Sequence, residues 1–175
     1  MNYKKIIETV LLACDHPISI LRIKQVVGDS DINDKDIIEI IEKLNDDYKE
    51  DEKGIYIDSI SNGYQIRTLP EFHKYIKIAN NNYPKYRLSK PALEVLSIIS
   101  FKQPISKSDI ESIRGVDCSG LIKKLLETKI IKIKGRENKI GKALLYSTTS
   151  LFLEIFGLNN ISDLPKTLEI KEIIK

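Results

Sequence analysis

The sequence predicts a mainly α-helical α+β fold with small β-hairpins, built as two similar units in tandem. Three observations carry this. The first is a repeat: LLACDHPISILRIKQVVG (Leu11 to Gly28) and IISFKQPISKSDIESIRG (Ile98 to Gly115) align at a constant offset of 87 residues. The second is that each copy is followed by apolar residues at helical spacing. The third is that each then gives two strand-like runs around a polar tip. Helix, helix, helix, hairpin is the winged-helix arrangement, so the expectation is two tandem winged-helix domains.

Each matched position has a mechanical meaning. Pro17 and Pro104 end the preceding helix, because proline cannot continue the hydrogen-bond ladder. Ile18 and Ile105 are apolar anchors under the turn. Ser19 and Ser106 are N-caps for the second helix. Ile23 with Val26, and Ile110 with Ile113, are expected to line one helical face. Gly28 and Gly115 take the left-handed position that closes the helix.

The third helix of the first unit places Ile37, Ile38, Ile41 and Leu44 on one face, with Asn33 or Asp34 as cap. Its counterpart places Leu121, Ile122 and Leu125 likewise, capped by Asp117 or Ser119. The hairpins come next: GIYIDSI and GYQIRTL turn at Ser61-Asn62-Gly63, and IIKIKG and ALLYSTT turn over Arg136 to Lys142. Between the units lie a helix candidate, Glu71 to Asn80, and a polar, proline-marked stretch. Ser89 is expected to cap the helix that opens the second unit, and Ser150 to cap Leu151 to Gly157. The expected domains are 1–80, a linker 81–91, 92–157, and a tail 158–175, whose end, Thr167 to Lys175, reads as an amphipathic or frayed segment.

With 42% hydrophobic and 30% charged residues over 175 positions, the composition is that of a globular protein. Net charge is +3, but unevenly spread: Met1 to Asn80 carries 11 basic and 15 acidic residues, Asn81 to Lys175 carries 17 and 10. The first half repels phosphate on average and the second attracts it. Cys14 and Cys118 imply neither a disulfide framework nor a zinc site. The apolar run at the N-terminus is too short and too charged for a signal peptide, and no stretch approaches a membrane span. A cytoplasmic protein is expected.

No catalytic constellation is present, so an enzyme is not expected, and neither is a cofactor or a metal. His16 and His73 are the only histidines. No nucleotide-binding or zinc-protease motif occurs. Asp29, Asp31, Asp34 and Asp36 lack the glycine and terminal glutamate of a calcium loop, and read as helix-capping acids. Cys118 lies in a turn beside a helix start, but without a base to activate it.

The basic residues of the second unit point toward phosphate. Lys123 and Lys124 lie on its third helix and Lys129 just after it. Lys132, Lys134, Arg136, Lys139 and Lys142 lie on its hairpin. Base reading needs Arg, Asn or Gln on that helix, and Ser119 to Thr128 has none. The first unit's third helix carries Asp34, Asp36, Glu39, Glu42, Asp46 and Asp47, which disfavours a major groove. The plainer reading of any one of these charges is a solvated face.

A family resemblance then enters. ALEVLSIISFKQPISKSDIESIRGV, GLIKKLLETKII, GRENKIGKALLYSTTSLFLEIFGLNNISDLP and GYQIRT resemble the segregation and condensation protein B (ScpB) family, from Ile6 to Pro165. The resemblance implies two winged-helix domains and a homodimer formed mainly through the N-terminal one. It implies binding to an ScpA kleisin, which bridges the heads of an SMC ATPase dimer in a nucleoid-associated, condensin-like complex for chromosome condensation and segregation. Two departures stand out. Gly141-Lys142-Ala143 replaces the family's frequent G-R-P, and the usual acidic tail after Pro165 is short or missing.

The expected kleisin-binding residues are Arg114, Leu121, Lys124, Arg136, Tyr146 and Phe152, with Phe156 a further large side chain that partner docking would use. The alternative is a direct DNA-binding winged-helix protein or transcription regulator, using Lys123, Lys132, Lys134 and Lys139.

Overall fold

A computed structural model describes residues 2–28, 32–79, 88–138 and 141–165. The chain divides into two compact units, Met1–Lys85 and Tyr86–Lys175, each with its own core.

The first unit runs α1 (Tyr3–Ala13), α2 (Ile20–Val27), α3 (Asp34–Glu50), β1 (Ile55–Ile60), β2 (Gly63–Thr68), a 3₁₀ turn (Pro70–Phe72) and α4 (His73–Ala79). The second runs α5 (Lys90–Lys102), β3 (Ile105–Ser106), α6 (Lys107–Arg114), α7 (Ser119–Glu127), β4 (Ile131–Arg136), β5 (Leu144–Thr148), α8 (Ser150–Phe156) and a 3₁₀ turn (Ile161–Asp163). The fold class is therefore α+β, helical with small antiparallel sheets.

The caps and closing glycines of the repeat fold as the spacing predicts. Ser19 and Ser106 accept hydrogen bonds from the backbone N–H of Arg22 and Asp109. Gly28 and Gly115 close the helices at φ of 68° and 75°. Between proline and serine, Ile18 bridges Tyr64, and Ile105 pairs with Tyr146. A bridged residue thus ties the start of the second helix to the last strand of the hairpin in both units. In the second the pairing extends to Ser106 and completes a three-stranded sheet of order β3-β5-β4.

Each core gathers the apolar faces of its helices. In the first unit Ile7, Leu11, Ile23, Val27, Ile37, Ile41, Leu44 and Tyr48 are buried; in the second Val95, Leu96, Ile99, Ile110, Ile122, Leu125, Ile130 and Ile131 are. Burial of each such side chain contributes about 1.5–3 kcal/mol before entropy is subtracted. The second helices bury a different pair from the one expected. Val26 is 44% exposed and Ile113 51% exposed. The inward positions are i and i+4: Ile23 with Val27 in α2, and Ile110 in α6 followed by Arg114, whose side chain is 12% exposed. Four residues bring a helix closer to a full turn than three do, so the i+3 position swings out to solvent.

The caps differ in detail from the sequence reading. Asn33 caps α3 in a capping box with Asp36. The cap position of α7 is Cys118, without a side-chain bond, while Asp117 accepts from the N–H and hydroxyl of Ser119. Ser89 caps α5 as expected. Thr149, not Ser150, caps α8; its hydroxyl also donates to the Lys129 carbonyl at 2.7 Å, which fixes the helix start against the α7–β4 corner.

The first hairpin turns on Ser61 and Asn62, both at positive φ (53° and 59°), as a two-residue turn requires. Gly63 already belongs to β2, and a Cβ there would lie 2.9 Å from the backbone of Ile18. Glycine is needed at that point for close approach of two backbones rather than for the turn. The expected linker lies mostly, and Thr167 to Lys175 wholly, outside the described residues.

Candidate interaction surfaces

Among the described residues, no group of three or more His, Cys, Asp and Glu side chains is placed to hold a metal ion. No described helix is long and apolar enough to cross a membrane. His16 is exposed beside Asp15, and His73 opens the exposed helix α4. Cys118 is fully buried, its thiol donating to the Val116 carbonyl at 3.3 Å. What the two units offer instead is surface.

The α6–α7 turn is locked by charge and hydrogen bonds. Arg114 reaches Glu94 of α5 at 2.9 Å and the Cys118 sulfur at 3.4 Å. These hydrogen bonds, that to Cys118 first and that to Glu94 next, hold its guanidinium above the ordinary arginine range. Glu111 accepts from the Cys118 N–H at 2.9 Å and sits 3.4 Å from Lys107. Hydrogen bonds from Ser119 hold the Asp117 carboxyl below its usual range. Arg114 is thus half of an internal tie between α5 and α6.

The other expected partner residues divide sharply. Tyr146 is 7% exposed and Phe152 2% exposed, both in the core of the second unit. In the chain alone neither of these two expected partner contacts offers appreciable surface. Tyr146 is on the central strand of its sheet, and Phe152 lies one turn before Phe156, its ring centroid 4.7 Å from that ring. Phe156 is the member of the pair that stays outside, at 44% exposure. Leu121 is half-buried against the same core. Lys124 and Arg136 are exposed, and Arg136 donates to the Lys142 carbonyl at 3.2 Å.

Of the four lysines read as candidate DNA contacts, Lys123, Lys132 and Lys134 are exposed; Lys139 lies outside the described residues. β4 leaves the core quickly: Ile131 is buried and Lys132 through Arg136 are all exposed.

Apart from Phe156, the amino-acid pattern does not single out the exposed apolar residues. On α5, Leu93 and Phe101 share a stripe with Ser97 between them, spaced i, i+4, i+8. Ile113 and Val116 flank the α6–α7 turn. The 2.9 Å ion pair of Glu94 with Arg114 ties the helices that carry Leu93 and Ile113. In the first unit Leu12, Leu21, Tyr75 and Ile78 are exposed, and every residue of α4 faces solvent. α4 carries three large apolar side chains and buries none, a signal visible in sequence only as a weak helix.

Comparison with known proteins decides the family. The model for "Segregation and condensation complex subunit ScpB" matches residues 5–167. The chain belongs to the ScpB family. It is 36% identical to segregation and condensation protein B of Syntrophotalea carbinolica over 175 residues, covering all of this chain and 87% of that one. It is 37% identical to the protein of the same name from Clostridioides difficile over 172 residues, 98% of this chain and 96% of that one. A crystal structure described as a dimer of the ScpB N-terminal domain complexed with ScpA peptide has 26% identity and a TM-score of 0.39, covering 43% of this chain and 91% of that one. The family's match runs through both units, including the exposed α4 and the basic hairpin of the second unit.

Proposed function

We propose that this ScpB-family chain is a non-catalytic subunit of a condensin-like SMC complex, which binds an ScpA-type kleisin as a homodimer. The observation that carries this is the family match over residues 5–167, which spans both units rather than one shared domain. On this reading each unit is a winged helix used as a protein-holding scaffold. The first unit dimerises and the second grips the kleisin, in the cytoplasm at the nucleoid.

The surfaces support this division. A dimer needs apolar area that the isolated unit leaves outside, and Tyr75, Ile76 and Ile78 on α4 provide it. A gripped peptide needs an apolar stripe with charge at its rim. Leu93, Phe101, Ile113, Val116 and Phe156 supply the former, and Lys124 and Arg136 the latter. Light scattering of the chain alone and with an ScpA-type kleisin tests the proposal. A dimeric mass alone, and a heavier complex with the kleisin, are expected. Aspartate at Phe101 and Ile113 should remove the complex and leave the dimer. A monomeric mass, or no complex at micromolar concentration, overturns the proposal.

A further inference from the structure

The basic surface of the second unit extends well beyond the two rim charges, Lys124 and Arg136, that this account uses. Residues 123–136 carry six cations, Lys123, Lys124, Lys129, Lys132, Lys134 and Arg136, against one acid, Glu127. All six are exposed, and none forms an ion pair with a carboxylate among the described residues. Elsewhere several cations are paired with carboxylates. In the first unit Lys4, Lys24, Lys53 and Arg67 pair with Asp47, Asp34, Asp51 and Asp58. Among the described residues of the second unit, Lys107 with Glu111 and Asp117 and Arg114 with Glu94 gather at the α6–α7 turn, away from the six cations.

The local fold brings these cations together. Ile122 and Leu125 face inward on α7, so Lys123 and Lys124 face out. Thr128 and Lys129, the latter at φ 58°, turn the chain within two residues into buried Ile130 and then β4. β4 is an edge strand, paired with β5 alone. From Lys132 to Arg136 it runs about 13 Å, close to the ~12 Å width of a major groove.

Lysines on an edge strand also guard against sheet-to-sheet aggregation. That purpose accounts for Lys132 and Lys134, but not for the helix lysines, and not for Gly135. Gly135 lies mid-strand without positive φ, and a Cβ added there would meet nothing within 4 Å. Gly135 follows a break in the β4–β5 register at Lys134, where a glycine commonly marks a bulge. Flanked by Lys134 and Arg136, it also leaves the backbone bare to a close-approaching ligand. Asp117 at the start of α7 keeps that helix end from serving as the phosphate site, so the contact belongs to the helix flank and the strand.

We propose that β4 and the outer flank of α7 form a sequence-independent contact for the phosphate backbone of duplex DNA, through Lys123, Lys124, Lys132, Lys134 and Arg136, with Gly135 at the point of closest approach. α7 carries no Arg, Asn or Gln between Ser119 and Glu127, so the surface holds DNA without reading it. This contact shares Lys124 and Arg136 with the proposed kleisin rim, and it can be tested without the kleisin.

The test is fluorescence anisotropy of the full chain with a labelled duplex of about 30 base pairs, titrated between about 50 and 200 mM salt. About four phosphate contacts predict a log–log slope near −3.6, a loss of roughly a hundredfold across that range. The triple variant K132E/K134E/R136E should weaken binding at low salt by at least about tenfold and flatten the slope. Gly135→Val should weaken it several-fold with an unchanged melting temperature, since its side chain enters open space. Lys43→Glu on the first unit should change nothing. Failure to bind duplex at low salt, a slope near zero, or a triple variant that binds like the parent overturns the proposal. So does a polyglutamate peptide that competes as well as unlabelled duplex, which would assign the patch to an acidic protein segment.

Discussion

In the first unit Ile18 bridges Tyr64; in the second Ile105 pairs with Tyr146. Around these two equivalent joints the same caps and left-handed glycines recur, and so does the same order of three helices and a hairpin. The faces turned to solvent share nothing of the kind. α3 carries seven acids and three bases, whereas the stretch from Lys123 to Arg136 carries one acid and six bases. The buried positions have kept a geometry and the exposed ones have gone opposite ways. A duplicated scaffold can therefore serve two tasks, because packing constrains only the inward side of each element.

The sharpest way to break the comparison is at the cores. Ile23→Ala and Ile110→Ala should each cost about 2–4 kcal/mol, because both side chains are fully enclosed and neither helix can collapse onto the gap. Phe152→Ala should cost about 3–5 kcal/mol and destabilise the second unit in urea, whether or not a partner is present. Loss of kleisin binding with undiminished stability in that variant would return Phe152 to the surface.

A second pair of variants targets how each hairpin is fastened. In the first unit Asn45 of α3 donates to the Ile57 carbonyl at 3.0 Å and accepts from its N–H at 2.7 Å. In the second the task falls to Gln103, just after α5, whose carbonyl oxygen accepts from the N–H of Thr148 at 2.7 Å and from its hydroxyl at 3.0 Å. The two units thus pin their hairpins from different helices and onto different strands. Alanine at either position leaves strand groups unpaired and should cost about 1–3 kcal/mol. Thermal denaturation of each variant reads the cost, and a loss confined to one unit would show that the two fastenings are not equivalent.

The range of each interaction decided whether it was legible in the chain. The caps at Ser19 and Ser106, the closing glycines and the two-residue turn are decided within four residues, and spacing reveals them. The joints Asn45–Ile57 and Arg114–Glu94, 12 and 20 residues apart, leave no periodic trace, and Gln103–Thr148, 45 apart, leaves still less. Aromatic placement was equally hidden: Phe152 and Phe156 are both apolar and one helical turn apart, yet only the first meets the core. Val26 and Ile113 match each other in the repeat yet both face outward, so an apolar match does not by itself mark burial. The basic hairpin was legible as a cluster; that its cations lack carboxylate partners was visible only in three dimensions.

A pH-dependent contrast comes from Tyr48, which the second unit does not reproduce. Its phenol donates to Glu8 at 2.9 Å, joining α3 to α1. Burial first, then the hydrogen bond and charge of Glu8, with Asp47 adding to them, push the phenol above its usual range. The neutral phenol thus contributes stability that is fully present below the unfolded value of about 10 and is lost as pH rises beyond it. Tyr48→Phe should cost about 1–2 kcal/mol at pH near 8, and the gap to the parent should shrink above pH of about 10. A gap that stays constant in urea titrations across that range would mean the phenol ionises as easily folded as unfolded.

The smallest effects test the closest point of similarity. Gly28 and Gly115 both close their helices in the left-handed region, both donate their N–H to the carbonyl four residues back, and a Cβ on either would meet nothing within 4 Å. With no steric neighbour, the cost of alanine is the backbone strain alone, about 1 kcal/mol, and should be the same in both units. Asparagine, which tolerates this conformation better, should recover part of it. Any inequality must come from the residues beyond the cap. After Gly115 the chain enters the Glu111–Cys118 and Arg114–Glu94 network, which resists a shift of the turn. Gly115→Ala costing clearly more than Gly28→Ala would show that this network, rather than the helix end, sets the rigidity of the second unit's turn.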